Sequence, residues 1–219
     1  KLFRTEHLPV KYSISSSIDW FFKHEEDGII LEDDCLPTPS FFKFCNELLD
    51  YYRNNSRIMM ISGNNFQEGI QRGKSSYYFS KHCHIWGWAT WKRAWKLYDI
   101  DVKDWPQLKK AGFMSTVFPG LANKIYWNRV LDRIHKGLVN TWDFQWQFAC
   151  WKSTGLSCTP NVNLVSNFGF GADSNFTSDS DSSLANMGTN KIVFPLRHEK
   201  IISEHLLADN FTNKHVYDI

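Results

Sequence analysis

The apolar and polar positions along the chain predict helices alternating with short buried strands. Ile14, Ile18, Phe21 and Phe22 recur at helical spacing and predict a helix from Lys11. Gly28-Ile29-Ile30-Leu31 is an uninterrupted apolar run, the pattern of a strand buried on both faces of a parallel sheet. Thr38 is placed to cap a helix that starts at Pro39 and carries Phe41, Phe44, Cys45, Leu48 and Tyr52 as its apolar stripe. Asn54-Asn55-Ser56 ends that helix, and Arg57 to Gly63 reads as a second buried strand, which makes the segment a βαβ unit. A short strand is predicted at Ser76 to Ser80. Thr90 is placed to cap a helix bearing Trp91, Ala94, Trp95 and Tyr98. Leu121 to Lys136 is the most regular amphipathic helix, closed by Gly137. A helix from Asp143 to Ser153 follows, then strands at Leu156 to Thr159 and Val162 to Val165. Residues 169–183 are rich in Ser, Thr and Asp around two Phe and read as a mobile loop. Apolar content resumes from Lys191 to Ile219, so the tail is expected to pack back. No repeat or linker divides residues 1–219, and the expectation is a single α/β domain.

Composition narrows the partners. The 219 residues can build one sizeable core. Lys and Arg number 25 against 23 Asp and Glu, with no dense basic block, which argues against nucleic acid. Five scattered cysteines without a C-x-x-C pair point to free thiols in a reducing compartment. No signal peptide is visible and no apolar run approaches the ~20 residues of a membrane helix, so a cytoplasmic chain without a transmembrane segment is expected. The 10 Trp, 8 Tyr and 17 Phe exceed what a core needs and leave some for a platform on which a sugar could stack.

Three groups of residues carry candidate chemistry. Glu32-Asp33-Asp34 directly follows the first predicted strand, and in open α/β sheets ligands bind at the carboxyl ends of strands. Such a cluster suits a hard divalent cation bridging to phosphates, or is a solvated acidic turn. Trp142-Asp143-Phe144-Gln145-Trp146 sets one carboxylate between large aromatics, which would raise its pKa and make it a usable base. The same Asp143 also fits a helix cap. In Trp86-Gly87-Trp88 the glycine lets backbone approach a ligand while the indoles offer faces and N–H donors, or the pair packs a core around a tight turn. His198, after Pro195-Leu196-Arg197, reads either as a further metal or diphosphate contact or as a structural histidine. His82, His84, His198 and Asp173 show no spacing that a two-metal phosphohydrolase would need.

In this order the motifs resemble those of GT-A nucleotide-sugar glycosyltransferases. Glu32-Asp33-Asp34, Pro39-x-Phe41-Phe42, the Gly87-Trp88 turn and Trp142-Asp143 are similar to the N-acetylglucosaminyltransferase I type. Similarity is greater to bacterial nucleotide-diphospho-sugar transferases described as haemolysin-like, which carry L-E-D-D-C, H-I-W-G-W-A-T-W and W-D-x-Q-W, and it extends from about Phe3 to the tail. The resemblance implies a GT-A fold, a mixed and mostly parallel sheet flanked by helices, with its first strand and much of the nucleoside pocket upstream of Lys1. It implies an inverting enzyme of bacterial polysaccharide synthesis that uses Mn²⁺ or Mg²⁺. A UDP-sugar is the favoured donor and a glycan hydroxyl the acceptor. By resemblance Asp34 holds the metal, Glu32, Asp33, Trp86, Gly87 and Trp88 join it in binding donor, and Asp143 is the base. Where the animal enzymes have two adjacent Asp, this chain offers Asp143 alone. The Glu-Asp that follows Trp-Gly-Trp in galactosyltransferases is absent. Residues 169–183 are the candidate lid, with Gly169 and Gly171 as its hinge. The competing class is a glycan-binding module without transfer.

Overall fold

The computed structural model describes residues 1–170 and 182–219. α1 (Val10–Phe21) lays Ile18 into the core with Phe22 directly after it. β1 (Asp27–Ile30) leads into the acidic turn, and β2 (Cys35–Pro37) leaves it. Thr38 caps α2 (Pro39–Tyr51) by accepting from the Phe41 N–H at 3.3 Å, and the predicted stripe is its buried face. β3 (Ile58–Ser62) and β4 (Tyr77–Ser80) are buried throughout. β5 (Trp88–Trp91), α3 (Lys92–Trp95), α4 (Trp105–Lys110), α5 (Met114–Val117), α6 (Leu121–His135) and α7 (Asp143–Lys152) follow. The chain then passes through β6 (Leu156–Pro160) and β7 (Val165–Asn167) to α8 (Leu206–Val216).

Among the described residues five strands pair in the order β1-β5-β3-β6-β4, and β2 pairs with β7 in a separate ribbon. β5 is antiparallel to both β1 and β3, β4 is antiparallel to β6, and among the described strands β3 and β6 alone pair in parallel. The molecule is therefore α/β with a mixed sheet flanked by helices, but the expectation of a mostly parallel sheet is corrected. So is the simple βαβ unit: α2 does carry the chain from β1 to β3, yet β5 lies between them. β1 itself occupies an edge. All four of its residues are half-buried and Leu31 is 38% exposed, so it is not the doubly covered strand its apolar run predicted.

Trp88 to Trp91 are strand rather than helix start. Thr90 lies inside the sheet with its hydroxyl donating to the Met59 carbonyl at 2.6 Å, and the helix begins only at Lys92. The tail packs back as expected: Ser76 N–H donates to the Arg197 carbonyl and Glu204 bridges to Phe79. All five cysteines are free. No helix among the described residues is long and apolar enough to cross a membrane.

One consequence of the topology sets the site. β1 and β3 run the same way because both oppose β5, and β6 follows β3. Their carboxyl ends therefore share one edge, where the turn after β1, Gly63 and the ribbon meet.

Candidate functional site

The acidic turn closes locally, with the Cys35 N–H donating to the Glu32 carbonyl at 3.1 Å, and it is tied to the end of β7 by the Phe168 N–H donating to the Asp34 carbonyl at 3.1 Å. Asp33 is exposed, while Glu32 and Asp34 are half-buried. The Cys35 thiol lies 3.5 Å from Asp34 Oδ1. Burial pushes that thiol up to about 12, so it stays protonated and can donate to the carboxylate. Gly169 passes so close that a Cβ on it would stand 2.1 Å from Asp34 Oδ2.

Glu32 ties this turn to the second predicted constellation. Its carboxyl is pushed up to about 7, first by burial and then by the charges of Asp34, Asp143 and Asp33. Asp143 comes from the first position of α7, and Trp142 before it stacks on Trp88, which pairs with Ile30 two residues before Glu32. The tryptophans flanking Asp143 hold the helix start. Trp142 stacks on Trp88 at 5.6 Å and 20°, and Trp146 packs against Trp88 and Trp95 at 5.6 and 5.2 Å. Burial raises the Asp143 pKa, opposed by the Thr141 hydroxyl, which donates to Oδ1, and by the backbone N–H groups of residues 143 and 144.

The third motif divides. Trp88 is 0% exposed inside the tryptophan cluster and has no face for a donor, which corrects its assignment as a donor contact. Trp86 is half-buried and holds edge contacts with Phe66 at 5.3 Å and Phe170 at 5.4 Å. Gly87 is required by the fold. Its φ is +77°, its carbonyl accepts from the Gly63 N–H at 2.8 Å, and a Cβ would meet Val165 at 2.8 Å. The close approach it allows is thus to Gly63 and Val165.

His82 and His84 are buried, and burial holds both below the usual imidazole range, His84 at about 3. His198 stacks on Tyr51 at 3.9 Å and bonds the Tyr77 hydroxyl at 3.0 Å, a structural role. Asp173 and Gly171, with most of the predicted loop at 169–183, lie outside the described residues.

Sequence reading missed several neighbours. Asn64, just past β3, is buried with its Oδ1 unpartnered among the described residues. Its position after a buried strand was the available signal. Tyr98, Tyr126 and Tyr217 are each raised first by burial and then by the charge of Asp143. Nothing in the sequence marks these tyrosines, because three separate segments bring them there.

Among the described residues no three His, Cys, Asp or Glu side chains converge as a ready-made metal cage. The turn still fits a hard cation. Its donors are carboxylate oxygens, and the charges of Asp34, Asp143 and Asp33, which add to burial in raising Glu32, are ones a cation would offset. Asp34 would hold it, and diphosphate oxygens and water would complete the coordination.

Compared with known proteins, the chain matches no family model and no curated relative.

Proposed function

We propose that this chain is a metal-dependent inverting glycosyltransferase that moves a sugar from a nucleotide-diphospho-sugar, a UDP-sugar by preference, to a hydroxyl of a glycan. The observation that carries this reading is that Trp142, beside Asp143, stacks on Trp88, the strand partner of Ile30, which brings the start of α7 toward the end of β1 where the acidic turn begins. Asp34 would hold Mn²⁺ or Mg²⁺, which when bound neutralises charge on the departing diphosphate. Asp33, exposed beside it, and Glu32 face the donor's hydroxyls, and Trp86 offers the apolar ring surface. Asp143 takes the proton of the attacking acceptor hydroxyl. Its raised pKa suits that work. Negative charge here also favours an oxocarbenium-like transition state. One base acting opposite the leaving group gives inversion.

Asp143→Asn tests this directly. Donor affinity with Mn²⁺ should stay within about threefold while transfer falls by at least ~10²-fold, the scale of an essential base. Transfer at the parent rate would sink the assignment. A glycan-binding module would use the same turn and Trp86. Metal-dependent hydrolysis of the donor separates the two, since a binding module leaves the nucleotide sugar intact.

A further inference from the structure

We propose that the cleft at the far end of α2 is a saccharide site separate from the acidic turn, taking a neutral sugar ring of a glycan chain against the stacked pair Tyr51 and His198. The cleft has a volume of about 450 Å³, and its walls include Tyr51, Tyr52, Asn55, His198, Glu199 and Lys200. That size suits a small-molecule site. α2 begins beside the acidic turn, and its 13 residues at the helical rise carry Tyr51 about 20 Å away. A single sugar in the cleft therefore lies clear of Asp34, and the site does not depend on the transferase reading.

The aromatic wall is fixed before any ligand arrives. His198 lies flat on Tyr51, with ring centroids 3.9 Å apart and 5° between the planes. Its Nδ1 hydrogen-bonds the Tyr77 hydroxyl at 3.0 Å, and that hydroxyl pairs with the Tyr52 hydroxyl at 2.6 Å. Tyr52 and Tyr77 are buried, so the imidazole is anchored in the core and in turn steadies the Tyr51 ring. Tyr51 is nonetheless 56% exposed. The opposite wall is pinned as well. The Ser76 N–H donates to the Arg197 carbonyl at 2.8 Å and the Arg57 guanidinium to the Ile202 carbonyl at 2.7 Å. Rigid walls lose little freedom when a ligand binds.

The rim supplies polar groups with hydrogen bonds to spare. Asn55 Oδ1 accepts from the Arg57 N–H at 3.1 Å, which orients the amide. Its Nδ2, the Tyr51 hydroxyl and Lys200 Nζ make no hydrogen bond among the described residues. Glu199 is already committed, accepting from the Ser75 hydroxyl at 3.1 Å and the Lys200 N–H at 3.0 Å. Lys200 is balanced by Glu199 and by Glu47, which faces His198 Nε2 at 3.5 Å, so no surplus of cations gathers a phosphate or a uronate. An exposed aromatic surface edged by uncommitted donors matches a neutral sugar, whose apolar face stacks while its hydroxyls meet the rim.

The experiment measures binding by titration calorimetry and saturation-transfer NMR, without Mn²⁺ or nucleotide. The probes are cellotriose, maltotriose and triacetylchitotriose, with trigalacturonate as the anionic counterpart. The proteins are the parent, Tyr51→Ala, Asn55→Ala and, as a control on the acidic turn, Asp34→Ala. At least one neutral trisaccharide should bind the parent. Its affinity should fall at least about tenfold in Tyr51→Ala and at least about threefold in Asn55→Ala, as for a central aromatic and a rim contact. Asp34→Ala should stay within about threefold of the parent, since the cleft is remote from it. If Tyr51→Ala does not fold, Asn55→Ala decides. Parental affinity in the folded cleft variants overturns the site, as does binding lost only in Asp34→Ala. Preference for trigalacturonate, or no trisaccharide binding at all, overturns it too. A parent that binds trisaccharide in this cleft but never turns over a UDP-sugar with Mn²⁺ keeps the site and overturns the transferase alone.

Discussion

At the residue scale, Gly169 decides where the Asp34 carboxylate can stand. With a Cβ position 2.1 Å from Oδ2, any side chain there forces the carboxylate to move. Gly169→Ala is therefore expected to weaken Mn²⁺-dependent nucleotide binding at least tenfold, with a melting temperature within a few degrees of the parent. Calorimetric titration of Mn²⁺ and UDP checks it, and parental affinity would show that Asp34 is not the ligand. The sequence marked both residues but for separate reasons: Asp34 as part of an acidic strand end, Gly169 as a loop hinge. Their contact was not legible, because it exists only once β2 and β7 pair and bring the two ends of the ribbon together.

At the element scale, α8 shows what periodicity misses. Its inner face is Ala208, Asp209, Thr212 and Asn213, while Leu206 and Leu207 are 57% and 68% exposed. No apolar stripe announces such a helix, and the sequence yielded only a tail that packs back. β5 failed differently. Trp91, Ala94, Trp95 and Tyr98 have helical spacing, but the aromatic and β-branched run Trp88 to Trp91 is captured between β1 and β3, and pairing overrides local pattern. Amphipathic elements with ordinary signals, α2 and α6, were legible almost to the residue.

The polar face of α8 also has a pH signature. Burial pushes the Asp209 carboxyl up to about 7, against the opposing pull of Ser80 and the backbone and charge of Lys81. The folded state then holds a proton that the unfolded chain has released above about pH 4, so this group's contribution falls as pH rises through 7. The full effect is on the order of 4 kcal/mol. Asp209→Asn should gain stability relative to the parent as pH rises from about 5 to about 8. Urea unfolding at the two pH values measures this, and a pH-independent difference would place the ionisation elsewhere.

At the scale of the whole molecule, the tryptophan cluster joins the sheet to the helix that presents Asp143. Trp146 is fully buried between Trp88 and Trp95, and its indole N–H has no partner among the described residues. Its removal costs packing rather than a hydrogen bond. Trp146→Ala should lose about 3–5 kcal/mol in urea unfolding, and a loss below about 1 kcal/mol would mean the cluster does not anchor α7. The α/β class and the order of most elements were legible from the sequence. Partner choice within the sheet was not, since a buried apolar run specifies a strand but neither its neighbours nor their direction.

The acidic turn is also the junction between the five-stranded sheet and the ribbon, which has only three residues in each strand. Short ladders open readily on their own. The Phe168 and Thr38 amides, donating to the Asp34 and Leu164 carbonyls, bracket that ribbon. A ligand gripping the Asp34 side chain would thus act as a clasp on two amides that never touch it. Their hydrogen exchange should slow when Mn²⁺ and UDP are added, while amides of β3 keep their rates. Unchanged exchange at Phe168 and Thr38 under saturating ligand would show that the turn and ribbon do not share one opening motion. Occupancy would then be legible as the tempo of backbone opening, before any bond in a substrate is made or broken.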